Sequence, residues 1–509
     1  MTSAFASVTI LPVRSLFAPA TALVLALLGA AAGAASPAAQ VSLSLTPCQI
    51  EQQQRLISLA AQCGELSVPE DRSKPDGRQI KLFVARVPAL NRQSNTEPVF
   101  LIAGGPGMGT VDFYTNVSAA FKQLGRDRDI VLVDQRGTGR SAPLRCAESD
   151  ETIWSTGRAQ VLQAMGECRT ALAAKADLAQ YTTSVAVVDL DVVRSALGYA
   201  RINIYGSSYG TRVAQHYARR YPANTRALIL DGVVAPQTVL GPAMALDAQA
   251  ALDRILARCR ETAQCQARFG DPAADYQALR SKLAREPVQI TVPDPLSGKP
   301  IQLPFSSEAL AAVLRLSAYS GSQAALLPLA LHMAVHDQQY SALGSLFLMS
   351  ASSVGDALAY GMHNSVVCAE DVPRFDPKLD RKALQATFMG TDQVDLLQAL
   401  CEGWPRGLVD ASLYTPLKGE LPVLLLSGSA DPVTPPVQAK LAALQLPHAV
   451  QRVLPDQGHG QLMAPCMDKV MTDFLRLAAL APAVRQLDVS CLEAVKPAPF
   501  MLGPAGPGP

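Results

Sequence analysis

Short, mainly apolar runs recur along the chain at 98–103, 129–134, 202–205, 226–230 and 421–426. Runs this short and this apolar predict strands buried on both faces. A further strand is expected at 449–454, and a hairpin at 65–68 and 79–87 around a Pro/Asp/Gly turn. Helical periodicity lies between the runs, at 159–176 and at 184–197, where Val185, Val188, Val192, Val193 and Ala196 fall near one face. A closing helix is expected at about 468–480. Strands alternating with helices imply an α/β protein, a mainly parallel sheet with helices on both faces. The alternation stops at 236–417, where Ala/Leu-rich amphipathic segments at 244–260, 307–317 and 324–335 surround a proline-rich break at 287–304. This predicts a core in two parts, 63–235 and 418–492, around a large helical cap insertion, 236–417. The Pro/Gly-rich tail, 497–509, is expected to be disordered.

Composition refines that picture. The 509 residues exceed the usual single-domain size, in keeping with a core plus an insertion. Lys plus Arg is 44 against 43 for Asp plus Glu, a formal charge of +1, so no strong field favours nucleic acid. Arg14 followed by an apolar stretch at 16–35 that ends in small residues reads as a secretory signal peptide, 1–35, cut near Ala34. No other stretch is long and apolar enough to span a bilayer, which predicts a secreted or periplasmic protein. All ten cysteines lie downstream of that segment, and an even number in an exported chain implies disulfides. Connectivity stays open at this level; the simplest hypothesis joins neighbours, 48 with 63, 146 with 168, 259 with 265, 368 with 401 and 466 with 491. The cysteine spacings fit no zinc template, and neither metal nor cofactor is expected.

The candidate chemistry centres on I-N-I-Y-G-S-S-Y-G-T-R-V at 202–213, a strand, a sharp turn and a helix with Ser208 between Gly206 and Gly210. That is a nucleophile elbow: the turn strains its central residue, so its neighbours must be small, and the serine hydroxyl projects from the carboxyl end of a sheet. Glycines directly after the 98–103 strand, G-G-P-G-M-G at 104–109, leave backbone N–H groups approachable. With the N–H of Tyr209, one from Gly104 or Gly105 would form an oxyanion hole. D-Q-R-G-T-G-R-S at 134–141 lacks the G-K-[ST] ending of a phosphate loop and reads as a shaped loop beside the catalytic site. Of six histidines, His459 stands apart: it lies in the Gly-flanked loop D-Q-G-H-G after the last strand, whereas His216, His332 and His336 lie on helices and read as packing or surface residues. Asp431 follows the strand before it. The chain order Ser208, Asp431, His459 is that of an α/β-hydrolase triad, with His459 as base and Asp431 holding its tautomer.

Five motifs together, G-G-P-G, D-Q-R-G-T-G-R-S, G-S-S-Y-G, S-G-S-A-D-P-V-T-P at 427–435 and G-H-G, resemble the prolyl aminopeptidase family of serine peptidases. The similarity runs from about Cys63 to Cys491 and is to the family's exported tripeptidyl aminopeptidase-like branch. Ala103 stands where prolyl aminopeptidases proper carry a histidine before G-G-P-G, which favours that branch. The resemblance implies removal of residues from peptides with a free N-terminus, cap carboxylates binding the substrate ammonium. Glu370, with Asp371 beside it in V-V-C-A-E-D-V-P, is the candidate, and Thr434 is expected to support Asp431. The same triad would serve an esterase or lipase acting on small acyl esters.

Overall fold

The structure, a computed structural model, describes residues 43–52, 57–94, 96–146, 157–294, 297–355, 358–503 and 506; the predicted signal segment lies outside them. Eleven strands are found among these residues: β1 (Thr46–Glu51), β2 (Ser58–Pro69), β3 (Gln79–Val87), β4 (Val99–Ile102), β5 (Ile130–Val133), β6 (Ile202–Ser207), β7 (Thr225–Asp231), β8 (Val288–Pro293), β9 (Pro300–Phe305), β10 (Val423–Gly428) and β11 (Ala449–Leu454). Nine of them form one sheet in the order β1-β2-β3-β5-β4-β6-β7-β10-β11. The six strands from β5 to β11 in that order are parallel, while β1, β2 and β3 pair antiparallel at one edge.

The mainly apolar runs are explained by the two covered faces. Phe100, Ile102, Ile204, Leu228, Leu230 and Leu425 point into one buried cluster, while their neighbours Val99, Leu101, Tyr205, Ala227, Ile229 and Leu424 point into another. Side chains alternate across a strand, so most positions on both faces are apolar. The core helices before the insertion are α1 (Thr110–Val117), α2 (Arg158–Ala173), α3 (Thr183–Ala196) and α4 (Tyr209–Arg220).

The insertion contributes α5 (Met244–Glu261), α6 (Pro272–Leu283), α7 (Ser307–Ser317), α8 (Leu327–His336), α9 (Ser341–Gly355), α10 (Tyr360–Glu370) and α11 (Asp392–Glu402); α12 (Pro436–Ala443) and α13 (Met467–Leu477) then complete the core. Two features differ from the sequence reading. The proline-rich break is an antiparallel hairpin, β8 with β9, whose Ile290, Val292, Leu303 and Phe305 are buried while intervening positions face outward. The insertion also has two parts. Residues from Leu252 to Leu348 make a core of their own, but Met362, Val366, Cys368, Cys401 and Trp404 join the sheet-side cluster of the main domain.

The tail departs from expectation as well. Phe500 is buried in the cap core beneath the Arg258 guanidinium, and the Met501 N–H donates to Ala325 O. Ala498 and Leu502 pack on the same core, so residues 498–502 are docked despite the Pro/Gly content of the tail. All five neighbour disulfides are present: 48–63, 146–168, 259–265, 368–401 and 466–491. No helix among the described residues is long and apolar enough to cross a membrane.

Candidate active site

Ser208 sits between β6 and α4 with φ 54° and ψ −123°, a strained conformation for a residue with a Cβ. Its N–H donates to Asp231 O at 2.8 Å, and its carbonyl accepts from the Thr211 N–H at 2.9 Å, which over-determines the turn. Gly206 and Gly210 are sterically required: a Cβ on the first would come within 2.5 Å of Gly210 O, and one on the second within 2.4 Å of Ile102 O. The bend is thereby pressed directly onto β4, and the loop after β4 meets the serine, with Gly104 packed on the Ser208 Cβ.

The other two expected members follow β10 and β11 at the same end of the sheet. His459 Nδ1 lies 2.8 Å from Asp431 Oδ2. The Thr434 hydroxyl donates to the same oxygen at 2.8 Å, and the N–H groups of Val433 and Thr434 donate to Oδ1 at 2.9 and 2.8 Å. Burial alone would raise the Asp431 pKa, but the facing His459 and these donors hold it below the ordinary range. For His459, burial pulls the pKa down, and the Asp431 charge and hydrogen bond outweigh it, leaving the imidazole above its ordinary value. Ser208 and His459 line one cavity. Both also abut the Asp231–Gly232 step, where a Cβ on Gly232 would lie 2.9 Å from His459 Cε1. Among the described residues no hydrogen bond joins Ser208 Oγ to His459, a looseness common in triads without substrate.

The expected oxyanion donors also converge. Tyr209 opens α4, so its N–H has no acceptor within the helix. Tyr209, Gly104 and Gly105 line the same cavity as Ser208. The glycine loop is clamped by the insertion: Ala359 N–H donates to Gly107 O at 3.0 Å, and His363 Nδ1 lies 3.1 Å from Pro106 O.

Several supporting residues escaped the sequence reading. Asp231, at the end of β7, accepts from the Gln461 N–H at 2.7 Å and from the Tyr205 hydroxyl at 2.9 Å, fixing the loop that carries His459. Burial pushes its carboxyl up to about 6. A charged residue closing the apolar stretch Ala227–Leu230 was the available signal. Tyr319, just beyond α7, accepts the His459 N–H on its carbonyl and sets its ring edge-on to the imidazole at 5.0 Å. D-Q-R-G-T-G-R-S is not a cavity wall. Asp134 accepts the N–H groups of Val111 and Arg140, and buried Arg136 forks onto Asp189 at 2.6 and 2.9 Å, so the motif braces the glycine loop from behind.

Glu370 and Asp371 do not stand where an ammonium anchor would. Both are fully buried and neither lines the cavity. Asp371 takes a bidentate pair from Arg212 at 2.9 and 3.0 Å and the Leu240 N–H at 2.8 Å. Glu370 accepts the N–H and hydroxyl of Thr183 at 2.6 and 2.9 Å, with Arg212 3.7 Å away. Burial pushes the Glu370 carboxyl up to about 7. Their partners come from α3 and α4, so the two acids bolt the insertion to the helix behind the nucleophile.

The cavity itself, about 1540 Å³, is roofed by the insertion. Its cap carboxylates are Glu308 on α7 and Asp392 on α11, and Arg158, Arg280, Arg315 and Lys496 balance them. Burial, followed by the nearby Glu308 charge, raises the Asp392 pKa.

The raised His459 sets the expected pH dependence. Only neutral imidazole accepts the serine proton, so kcat/KM should fall about tenfold per pH unit on the acid side, with its midpoint above the roughly 6.5 of a free histidine. Asp231 also favours the protonated ring and Arg315 opposes it. Asp431→Asn should move the midpoint downward and lower the rate by about 10⁴. A pH–rate profile that keeps its midpoint in that variant would contradict the assignment.

Two family models match: one described as alpha/beta hydrolase fold over residues 97–293, the other as TAP-like protein over 386–491. Tripeptidyl aminopeptidase of Streptomyces lividans is 32% identical over 191 residues, 34% of this chain and 36% of that protein. Serine protease Hip1 of Mycobacterium tuberculosis is 28% identical over 444 residues, 80% of this chain and 83% of that one. Carboxylesterase B of Mycobacterium tuberculosis is 28% identical over 262 residues, covering 47% and 49%. The matched region spans about a third of the length of the Streptomyces relatives. With one model over the strands that deliver Ser208 and the other over those that deliver Asp431 and His459, the chain has the α/β-hydrolase fold and is similar to TAP-like proteins.

Proposed function

We propose that this protein is an exported serine aminopeptidase that releases residues or short peptides from free N-termini through an acyl-enzyme. The observation that carries the reading is a Ser208, His459, Asp431 constellation at the floor of a cap-roofed cavity of about 1540 Å³, larger than the roughly 300–1,000 Å³ usual for small ligands. The names of the aminopeptidase and serine protease relatives support it. Five disulfides support maturation in an oxidising compartment.

In this mechanism His459 takes the Ser208 proton as Oγ attacks the scissile carbonyl carbon. The tetrahedral oxyanion forms against the N–H of Tyr209 and one from the Gly104–Gly105 loop, each donor typically worth about 3 kcal/mol. Protonated His459 then gives its proton to the leaving amine, and water repeats the sequence on the ester. Thr434 keeps Asp431 aligned with Nδ1. The ammonium of the substrate is assigned to Glu308 and Asp392, the cap carboxylates that line the cavity, in place of Glu370 and Asp371.

The test compares free and N-acetylated tripeptide amides with a small acyl ester. Acetylation removes the ammonium and should lower kcat/KM by at least about 30-fold, the equivalent of ~2 kcal/mol for a desolvated charge pair. Glu308→Gln combined with Asp392→Asn should shrink that preference and leave ester turnover nearly unchanged. Equal wild-type rates on free and blocked peptides would sink the aminopeptidase reading. They would favour the esterase alternative, which has its own support in the carboxylesterase relative.

A further inference from the structure

In the cap, outside the cavity, α6 and α8 bring three metal-ligating side chains together. His332 and His336 are one turn apart on α8, so both project from the same face, with ring centroids 4.4 Å apart. Asp275 on α6 meets them: its Oδ1 lies 2.8 Å from His336 Nε2, and its Oδ2 lies 3.4 Å from His332 Nδ1. One ligand atom from each residue falls within 4.8 Å of the other two.

Two of these atoms are poorly explained as ordinary packing. Asp275 Oδ2 and His332 Nδ1 are buried, and neither makes a hydrogen bond to any described residue. The Asp275 side chain is 9% exposed, so its carboxylate is nine-tenths withdrawn from water and aimed at the two imidazoles. Orphaned buried polar atoms are costly and call for a partner. Their 3.4 Å separation is also informative. Donors bound at about 2.0–2.2 Å to a tetrahedral ion stand roughly 3.4 Å apart, so one cation between them satisfies both.

We propose that Asp275, His332 and His336 form a binding site for a first-row divalent transition metal of the zinc type. Two imidazole nitrogens and one carboxylate oxygen suit zinc better than the all-oxygen shells of calcium or magnesium. His336, 51% exposed, gives the rotational freedom needed to close the shell and leaves water access to a fourth position. Arg268, whose Nη1 lies 3.3 Å from His332 Nε2, is the opposing group. Metal at Nδ1 requires a proton on Nε2, so the guanidinium must swing away. The site pins α6 to α8; Arg280, further along α6, lines the cavity, but none of the three ligands does. Its role is to stiffen the cap, with no part in the serine chemistry.

The test uses untagged, chelator-stripped full-length protein and zinc alone. Equilibrium dialysis should find one equivalent bound, and zinc should raise the melting temperature. His336→Gln and His332→Gln should each weaken binding at least tenfold and abolish the thermal shift, with catalytic activity retained. Arg268→Gln should tighten binding, while His448→Gln, at a histidine elsewhere in the fold, should change nothing. Cobalt in place of zinc should give the strong visible bands of a four-coordinate site in the wild type and lose them in His336→Gln. Absence of bound zinc, or binding that survives both histidine substitutions, would overturn the site and leave Asp275 as a hydrogen-bonding partner of His336 only.

Discussion

Ser208→Ala is expected to reduce kcat by up to about 10⁶ while leaving the protein folded, the scale on which removal of a triad nucleophile acts. The strain of the elbow is a backbone property: φ at 54° weighs on alanine as it does on serine, and the bonds from Ser208 N–H and to Ser208 O survive the change. The loss should fall equally on peptide and ester substrates, since both need the same attacking oxygen. Ser207→Ala, one residue earlier at the end of β6, should keep most of the turnover. Gly206→Ala supplies a geometric control. Its Cβ would lie 2.5 Å from Gly210 O, so the elbow must shift, and displacement of the nucleophile by about 1 Å is enough to cost ~100-fold. Active Ser208→Ala with dead Ser207→Ala would show that the turn had been read in the wrong register.

Arg212→Met should lower stability by about 3–5 kcal/mol, read as a drop in the urea midpoint at unchanged slope. Arg212, Asp371 and Glu370 are all buried, and the guanidinium neutralises one carboxylate at hydrogen-bond distance and faces the other. Methionine fills the volume but leaves the Asp371 carboxyl in the interior without its cationic partner. Because Arg212 lies one turn beyond Ser208 on α4, the same change should loosen the elbow. Glu370→Gln should be far milder: the Glu370 carboxyl is already pushed up to about 7 by burial, so the neutral amide resembles a form it holds near neutral pH. Any loss in Glu370→Gln should be equal on free peptides, blocked peptides and esters. A loss confined to free peptides would restore Glu370 as an ammonium anchor. A shift below about 1 kcal/mol in Arg212→Met would remove the claim that the buried network bolts the insertion to the core.

Short, mainly apolar runs located most strands of the parallel sheet, because a strand covered on both faces leaves few positions for a polar residue; β11 lies where A-V-Q-R-V-L predicted, and β4 and β5 within one residue. The proposed triad was legible for a related reason. Ser208, Asp431 and His459 each occupy a short, glycine-marked loop at a strand end, and such loops need particular residues whatever surrounds them. Disulfide connectivity was open in the sequence, and the simplest hypothesis matched because the partners are near neighbours. Glu370 and Asp371 lie away from the cavity, which the sequence did not reveal because an acid on a helix end carries no local sign of its partner. Only packing brought Arg212 and Thr183, more than a hundred residues away in sequence, against them.

The same limit explains the remaining differences. Strand identity, the elbow and the order of the proposed catalytic residues were determined by the sequence, since each depends on backbone geometry within a dozen residues. Tertiary structure decided what the long-range contacts decide: which cap carboxylates face the cavity, that Asp231 and Tyr319 hold the histidine loop, that Phe500 docks the tail, and that Asp275 meets His332 and His336. Burial and partnership are properties of pairs, and a pair separated by tens or hundreds of residues is specified only once the whole chain has packed.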